Sequence, residues 1–189
     1  MSISEFPRHL ITTDTRGFER LKVDVGQTDF FLGNEQRFFH EFNIPSGSSV
    51  WFRFTSPIDF ILFEQTLTVD TGGIRFTAYA GGTESGTWTP VTTVIPKNLM
   101  SSTPPYVRKV NIDTGGTITG GNLREVVRLV SPGSTAQRTT VSGGNQTERG
   151  LPAGVYYLRL ENIANNSAST GVYTIAWAER QPRKPYSTF

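Results

Sequence analysis

The sequence predicts an all-β protein, an antiparallel β-sandwich or barrel. Apolar and polar residues alternate through most of the chain. The alternating segments are rich in Val, Ile, Thr, Phe and Tyr, and each ends in a cluster of Gly, Pro, Asn or Ser. No long stretch carries a helical period.

In chain order, residues 1–17 hold isolated apolar residues (Ile3, Phe6, Leu10, Ile11) without a strand period and are expected to form an N-terminal arm. Candidate strands follow at Arg20–Val25, Gln36–Phe42, Ser49–Phe54 and Ile58–Asp70. In Val50-Trp-Phe-Arg-Phe the alternation is sharp. Asp70-Thr-Gly-Gly73 then sits where a hairpin loop would, with glycines able to take positive φ before a strand at Ile74–Ala80. Thr87–Val94 and Tyr106–Ile112 are the next candidates. Asn122–Val130 is ambiguous: Leu123, Val126, Val127 and Val130 have helical spacing behind an Asn122/Glu125 capping pair. Its shortness and its valines favour strand. Ser131–Arg149 reads as a polar loop around a short strand near Arg138–Val141. After the tight turn Leu151-Pro-Ala-Gly154 comes Val155–Glu161, with Tyr156, Leu158 and Leu160 on its core face, and then Gly171–Ala178. Residues 18–179 are thus read as the sandwich domain. Residues 180–189 form a C-terminal arm in which Pro182 and Pro185 cannot continue a ladder.

Composition removes whole classes of function. The chain has 189 residues, enough for one domain with a real core. It has no cysteine, which excludes disulfides, thiol catalysis and cysteine-ligated metal. Two histidines leave little for a histidine metal cluster, and no metal or cofactor is expected. The net charge of +2 comes from eighteen basic residues scattered among sixteen acidic ones, so no nucleic-acid partner is expected. The longest apolar run, around Phe60–Phe63, is far below the ~20 residues of a membrane span. The N-terminus lacks the basic and then apolar run of a signal peptide, so synthesis in the cytoplasm is expected.

Catalytic patterns fare no better. Two Asp-Thr-Gly triplets, at Asp70 and Asp113, invite comparison with aspartic proteases, whose paired carboxylates share a proton. The triplets leave no room for two lobes, and each reads as a turn. His9 lies in the arm and His40 lies mid-strand, with no nucleophile elbow near either. The Gly82–Gly86 loop does not fit Gly-x-Ser-x-Gly, and no phosphate loop is present. Of the three tryptophans, Trp51 and Trp177 fall in apolar strands and read as core. Trp88, beside the Gly81–Gly86 loop, is the candidate for exposure and glycan stacking. No catalytic residue is assigned.

Phe60–Tyr79, Gly81–Thr89, Ile95–Met100, Arg149–Asn162 and Tyr173–Glu179 together resemble small virion proteins of tailed bacteriophages. Leu151-Pro-Ala-Gly-Val-Tyr-Tyr also resembles a strand of bacterial pre-peptidase and carbohydrate-binding sandwiches. The likeness spans roughly residues 49–179 and rests on strand and turn patterns. It implies a jelly-roll-like sandwich with extended arms, serving as a capsid cement (decoration) protein on the virion surface. The implied partners are the major capsid protein and further copies of the chain, as a trimer or dimer. The arms would dock on neighbours through Phe6, Arg8, Arg180, Arg183, Lys184, Tyr186 and Phe189. An alternative is a tail-associated or receptor- and glycan-binding module that uses Trp88.

Overall fold

A computed structural model describes residues 11–13, 19–21, 33–97, 106–131, 139–143 and 149–179. Every regular element among them is a strand. In chain order these are β1 (Ile11–Thr13), β2 (Glu19–Leu21), β3 (Glu35–Ile44), β4 (Ser49–Ser56), β5 (Phe60–Thr71), β6 (Gly73–Ala80), β7 (Thr83–Ser85) and β8 (Thr89–Pro90). They continue with β9 (Val94–Pro96), β10 (Asn111–Thr114), β11 (Thr117–Thr119), β12 (Asn122–Val130), β13 (Thr139–Gly143), β14 (Arg149–Leu151), β15 (Gly154–Asn162) and β16 (Ser169–Glu179).

Two main sheets result. The first runs β12-β6-β15-β4-β10-β8, and the second runs β13-β5-β16-β3-β9 with β14 also paired to β5. The long strands pair antiparallel in a nested order: β3 with β16, β4 with β15, β5 with β13 and β14, β6 with β12. Each long strand of the first half is thereby closed by a strand from the second. The protein is an antiparallel β-sandwich.

Alternation builds the core. Phe52, Phe54, Phe76, Leu158 and Leu160 of the first sheet meet Phe38, Leu67, Val69, Tyr173 and Trp177 of the second. The rings interlock across the gap. Phe38 meets Phe52 edge-on at 5.3 Å, Phe76 stacks on Tyr173 at 5.6 Å, and Phe54 meets Trp177 edge-on at 6.3 Å. Each such side chain contributes about 1.5–3 kcal/mol when fully buried.

Several expectations need correction. Asp70–Gly73 is not a hairpin loop, because β5 and β6 lie in different sheets. Leu67 and Val69 point into the same core as Ile74 and Phe76, so the chain must cross between the layers there. Gly72 makes the crossing at φ +77°, and Ser131 closes it by bonding the Gly72 and Asp70 carbonyls. Thr87–Val94 is not one strand. Pro90 ends β8 in the first sheet, and β9 begins at Val94 in the second. Tyr106–Ile112 becomes a strand only at Asn111. The amides of Lys109 and Val110 donate instead to the Glu179 carboxylate, at 2.6 and 3.1 Å.

Asn122–Val130 is a strand, as its valines favour, with a bulge between Leu123 and Glu125. The N-terminal region expected to lack strand contains β1, whose β-branched Ile11, Thr12 and Thr13 pair with β2. The proposed anchors Phe6, Arg8, Arg180, Arg183, Lys184, Tyr186 and Phe189 lie outside the described residues.

Two buried polar hubs fix the connections. Asn162 uses both ends of its amide: Nδ2 donates to the Ile44 and Ser167 carbonyls, and Oδ1 accepts from the Ala164 amide and the Ser169 hydroxyl. Glu179, fully buried at the end of β16, takes the Trp177 indole proton at 3.1 Å besides its two amides. Every donor so paired avoids the cost of an unmade bond in the interior.

Candidate functional site

The same alternation that sends Phe52, Phe54, Leu158 and Leu160 inward places the intervening residues on the outer face of the first sheet. Across that face Leu123, Tyr79, Tyr157, Arg53 and Asp113 stand side by side, one from each of five neighbouring strands. The adjoining row is Val126, Thr77, Arg159 and Trp51. Beyond it come Arg128, Arg75, Glu161 and Ser49. Aromatic, arginine and carboxylate groups interleave into one lattice.

Arg53 is its centre. Its Nε and Nη2 donate to Asp113 at 3.1 and 2.9 Å, and its Nη1 donates to Glu84 at 2.7 Å. Its guanidinium carbon lies 5.1 Å from the centre of the Trp88 ring. Burial alone would lower the Arg53 pKa, but the Asp113 and Glu84 carboxylates outweigh it and raise the value. The Tyr157 hydroxyl donates to Glu84 at 2.7 Å. Burial first, and then that carboxylate, push its pKa up to about 12. Trp51 stacks on Tyr79 at 5.9 Å and carries the Arg159 guanidinium 5.4 Å from its ring centre. Glu161 accepts from Arg75 and from Arg159, at 3.2 and 3.0 Å.

A small flap lies beside this lattice. β7 pairs with β11, and Glu84 of β7 reaches both Arg53 and Tyr157. Trp88 packs against Tyr157 at 5.9 Å and so closely on the Gly116 backbone that a side chain there would overlap the indole. Trp88 is therefore half-buried with its ring already covered. Trp51, expected in the core, is half-buried on the outer face because Phe52 and Phe54 take the inward positions. Trp177 is buried in the core.

Other sequence candidates are scattered. Asp113 is the partner of Arg53 on the first sheet, whereas Asp70 lies one residue before the end of β5 in the second. His40 lies half-buried on β3, with its ring 4.9 Å from Phe52 and 6.4 Å from Phe38. Among the described residues no three His, Asp or Glu side chains converge into a metal-binding group.

A separate cavity of about 780 Å³ opens at the end of the sandwich, between β12, β14 and the start of β15. Arg124, Arg149 and Tyr156 line it together with the apolar Leu151, Pro152 and Val155. Arg149 is tied to Glu125 at 2.8 Å.

The apolar edge of the outer face is β12. Leu123, Val126 and Val130 are 58%, 49% and 62% exposed, half of the large hydrophobic residues that reach solvent among those described. The sequence marks Leu123, Val126 and Val130 only by their spacing, and it does not single out Arg53, Glu84 or Arg159. The signal was present in Val50-Trp-Phe-Arg-Phe: once Phe52 and Phe54 are core, Trp51 and Arg53 must share the other face. Neither a protein-family model nor a curated protein matches this chain.

Proposed function

We propose that the protein is a non-enzymatic structural component of a tailed-phage virion: a cement protein that bridges neighbouring major capsid subunits as a homo-oligomer. The outer face of the first sheet is the observation that carries this reading. Trp, Tyr and Arg are the residues most enriched at the energetic centres of protein interfaces, and here four aromatics and three arginines form one rigid field. The exposed aliphatics of β12 extend it without a break. Lattice ion pairs hold these side chains in place before any partner arrives, which lowers the entropic cost of docking.

The nested strand pairing also supports a jelly-roll reading, since that fold wraps its first strands against its last and recurs in capsid proteins. Coverage of the Trp88 ring by Gly116 and Arg53 argues against sugar stacking at that residue.

The test is reconstitution. Purified protein is mixed with capsids that lack it, and binding is followed by co-sedimentation together with capsid melting. Saturable binding and a raised melting temperature are expected, both weakened in Trp51→Ala and Arg159→Ala. Failure to bind, or absence of the protein from virions, overturns the reading.

A further inference from the structure

We infer that the cavity at the end of the sandwich is a binding site for a small monocarboxylic acid with an apolar, ring-sized body. None of the residues of the Arg53 lattice lines it, so the site stands apart from the contact role proposed above.

At about 780 Å³ the cavity has the size that encloses small organic ligands. Both sheets build it. Ala80, Arg124 and Tyr156 come from the first, Arg149 and Leu151 from the second, and Pro152 from the turn that joins β14 to β15. Tyr156 is held at both ends: its hydroxyl donates to the Pro152 carbonyl at 2.8 Å, and its ring meets Phe60 edge-on at 5.9 Å. The Ala153 amide ties the turn to Asp59 at 2.9 Å. The walls are therefore fixed before any ligand arrives.

Arg124 gives the site its charge. It is the extra residue of the β12 bulge, between Leu123, which faces Tyr79, and Glu125, which faces Ala78. A bulge re-aims the side chain it carries, and this one brings a guanidinium to the cavity. Among the described residues no carboxylate pairs with Arg124. Arg149, the other cation of the wall, is already taken in a two-pronged pair with Glu125, at 2.8 and 3.4 Å. Asp59 is exposed, bound to the turn, and does not line the cavity. One positive charge is thus left uncommitted, which matches a monocarboxylate and not a polyanion. Burial raises the Tyr156 pKa, Asp59 adds to the rise, and the Arg124 charge acts against it, so the guanidinium stands close to the phenol. Beside that charge lie Leu151, Pro152, Val155 and the Tyr156 ring, which favour an apolar body over a hydrated one.

Naphthylacetate, its neutral amide and acetate are titrated into the full chain by isothermal calorimetry. The acid should bind about fivefold more tightly than the amide, a modest factor because Arg124 is itself exposed. Acetate, which lacks the apolar body, should not bind detectably. Arg124→Gln should bring the acid down to the affinity of the amide and leave the amide unchanged. Glu125→Gln should do the opposite: it frees the Arg149 fork for the ligand and should tighten the acid about fivefold. Ala80→Leu, which crowds the wall, should weaken acid and amide alike. Thermal melts establish that each variant is folded, and Arg124→Gln, which breaks no internal pair, should melt with the parent. Equal binding of acid and amide, an acid affinity untouched by Arg124→Gln, or no binding of naphthylacetate overturns the proposal. So does a folded Glu125→Gln chain that binds the acid more weakly. Capsid binding is read separately, so its failure and the failure of this site are distinguishable.

Discussion

Arg53 and Asp113 stand directly opposite each other on β4 and β10, and two guanidinium nitrogens converge on the single oxygen Oδ2 of Asp113. The Asp113 side chain is only 11% exposed, so little water reaches the carboxylate. The third guanidinium nitrogen holds Glu84, so one side chain couples the sheet to the β7–β11 flap.

Arg53→Ala should destabilise the fold by about 2 kcal/mol, since it strands a nearly buried charge and uncovers Trp88. Chemical denaturation measures the loss. Hydrogen exchange should show the excess opening at Thr83–Ser85. Arg53→Lys should recover only part of the stability, because an ammonium cannot hold two carboxylates in one plane. A variant as stable as the parent would mean that the network contributes nothing.

Gly116→Ala should expel Trp88 from its seat. The added methyl overlaps the indole, and the neighbouring Tyr157 and Arg53 leave little room for retreat. Red-shifted tryptophan emission is expected, with a stability loss of about 1–3 kcal/mol from overpacking. Unchanged emission would contradict the packing.

Asn162→Ala should cost about 3 kcal/mol, because the Ile44 and Ser167 carbonyls and the Ala164 amide all lose their partner in or near the interior. Asn162→Asp should not rescue it, as a carboxylate cannot donate to those carbonyls. Urea midpoints for the two variants decide the point.

Acid should weaken the fold earlier than carboxylate titration alone would require. Burial lowers the pKa of His40 below its ordinary 6.5. Below pH 6.5 the unfolded chain therefore binds a proton that the folded chain refuses, and stability falls until the lower folded pKa is passed. Above pH 6.5 this group contributes no slope. His40→Gln should flatten stability against pH just below that value, and an unaltered slope would assign the effect to another group.

Much of the sandwich was legible because its strands obey a two-residue period. Val155–Glu161 and Gly171–Ala178 appear within two residues of their expected bounds at each end. Sheet membership was not legible. Asp70–Gly73 has the composition of a hairpin, and only the core's demand that Val69 and Ile74 face one another from opposite layers makes it a crossing. The outer face hid for a related reason. Trp51 reads as core by residue type, and its true side follows only once the phenylalanines beside it have been placed. Arg53, Glu84 and Asp113 come from three segments of the chain, so no local pattern could join them.

β16 lies between β5 and β3 in the middle of its sheet, paired along nearly its whole length on both sides, with Glu179 anchored at its end. Tension entering through the residues after Glu179 would run parallel to the strand. It would load both ladders in shear, so that their hydrogen bonds must fail together. An edge strand pulled crosswise unzips one bond at a time. The C-terminal side of this domain is thus wired to its most rip-resistant member, which suits a tether better than a hinge.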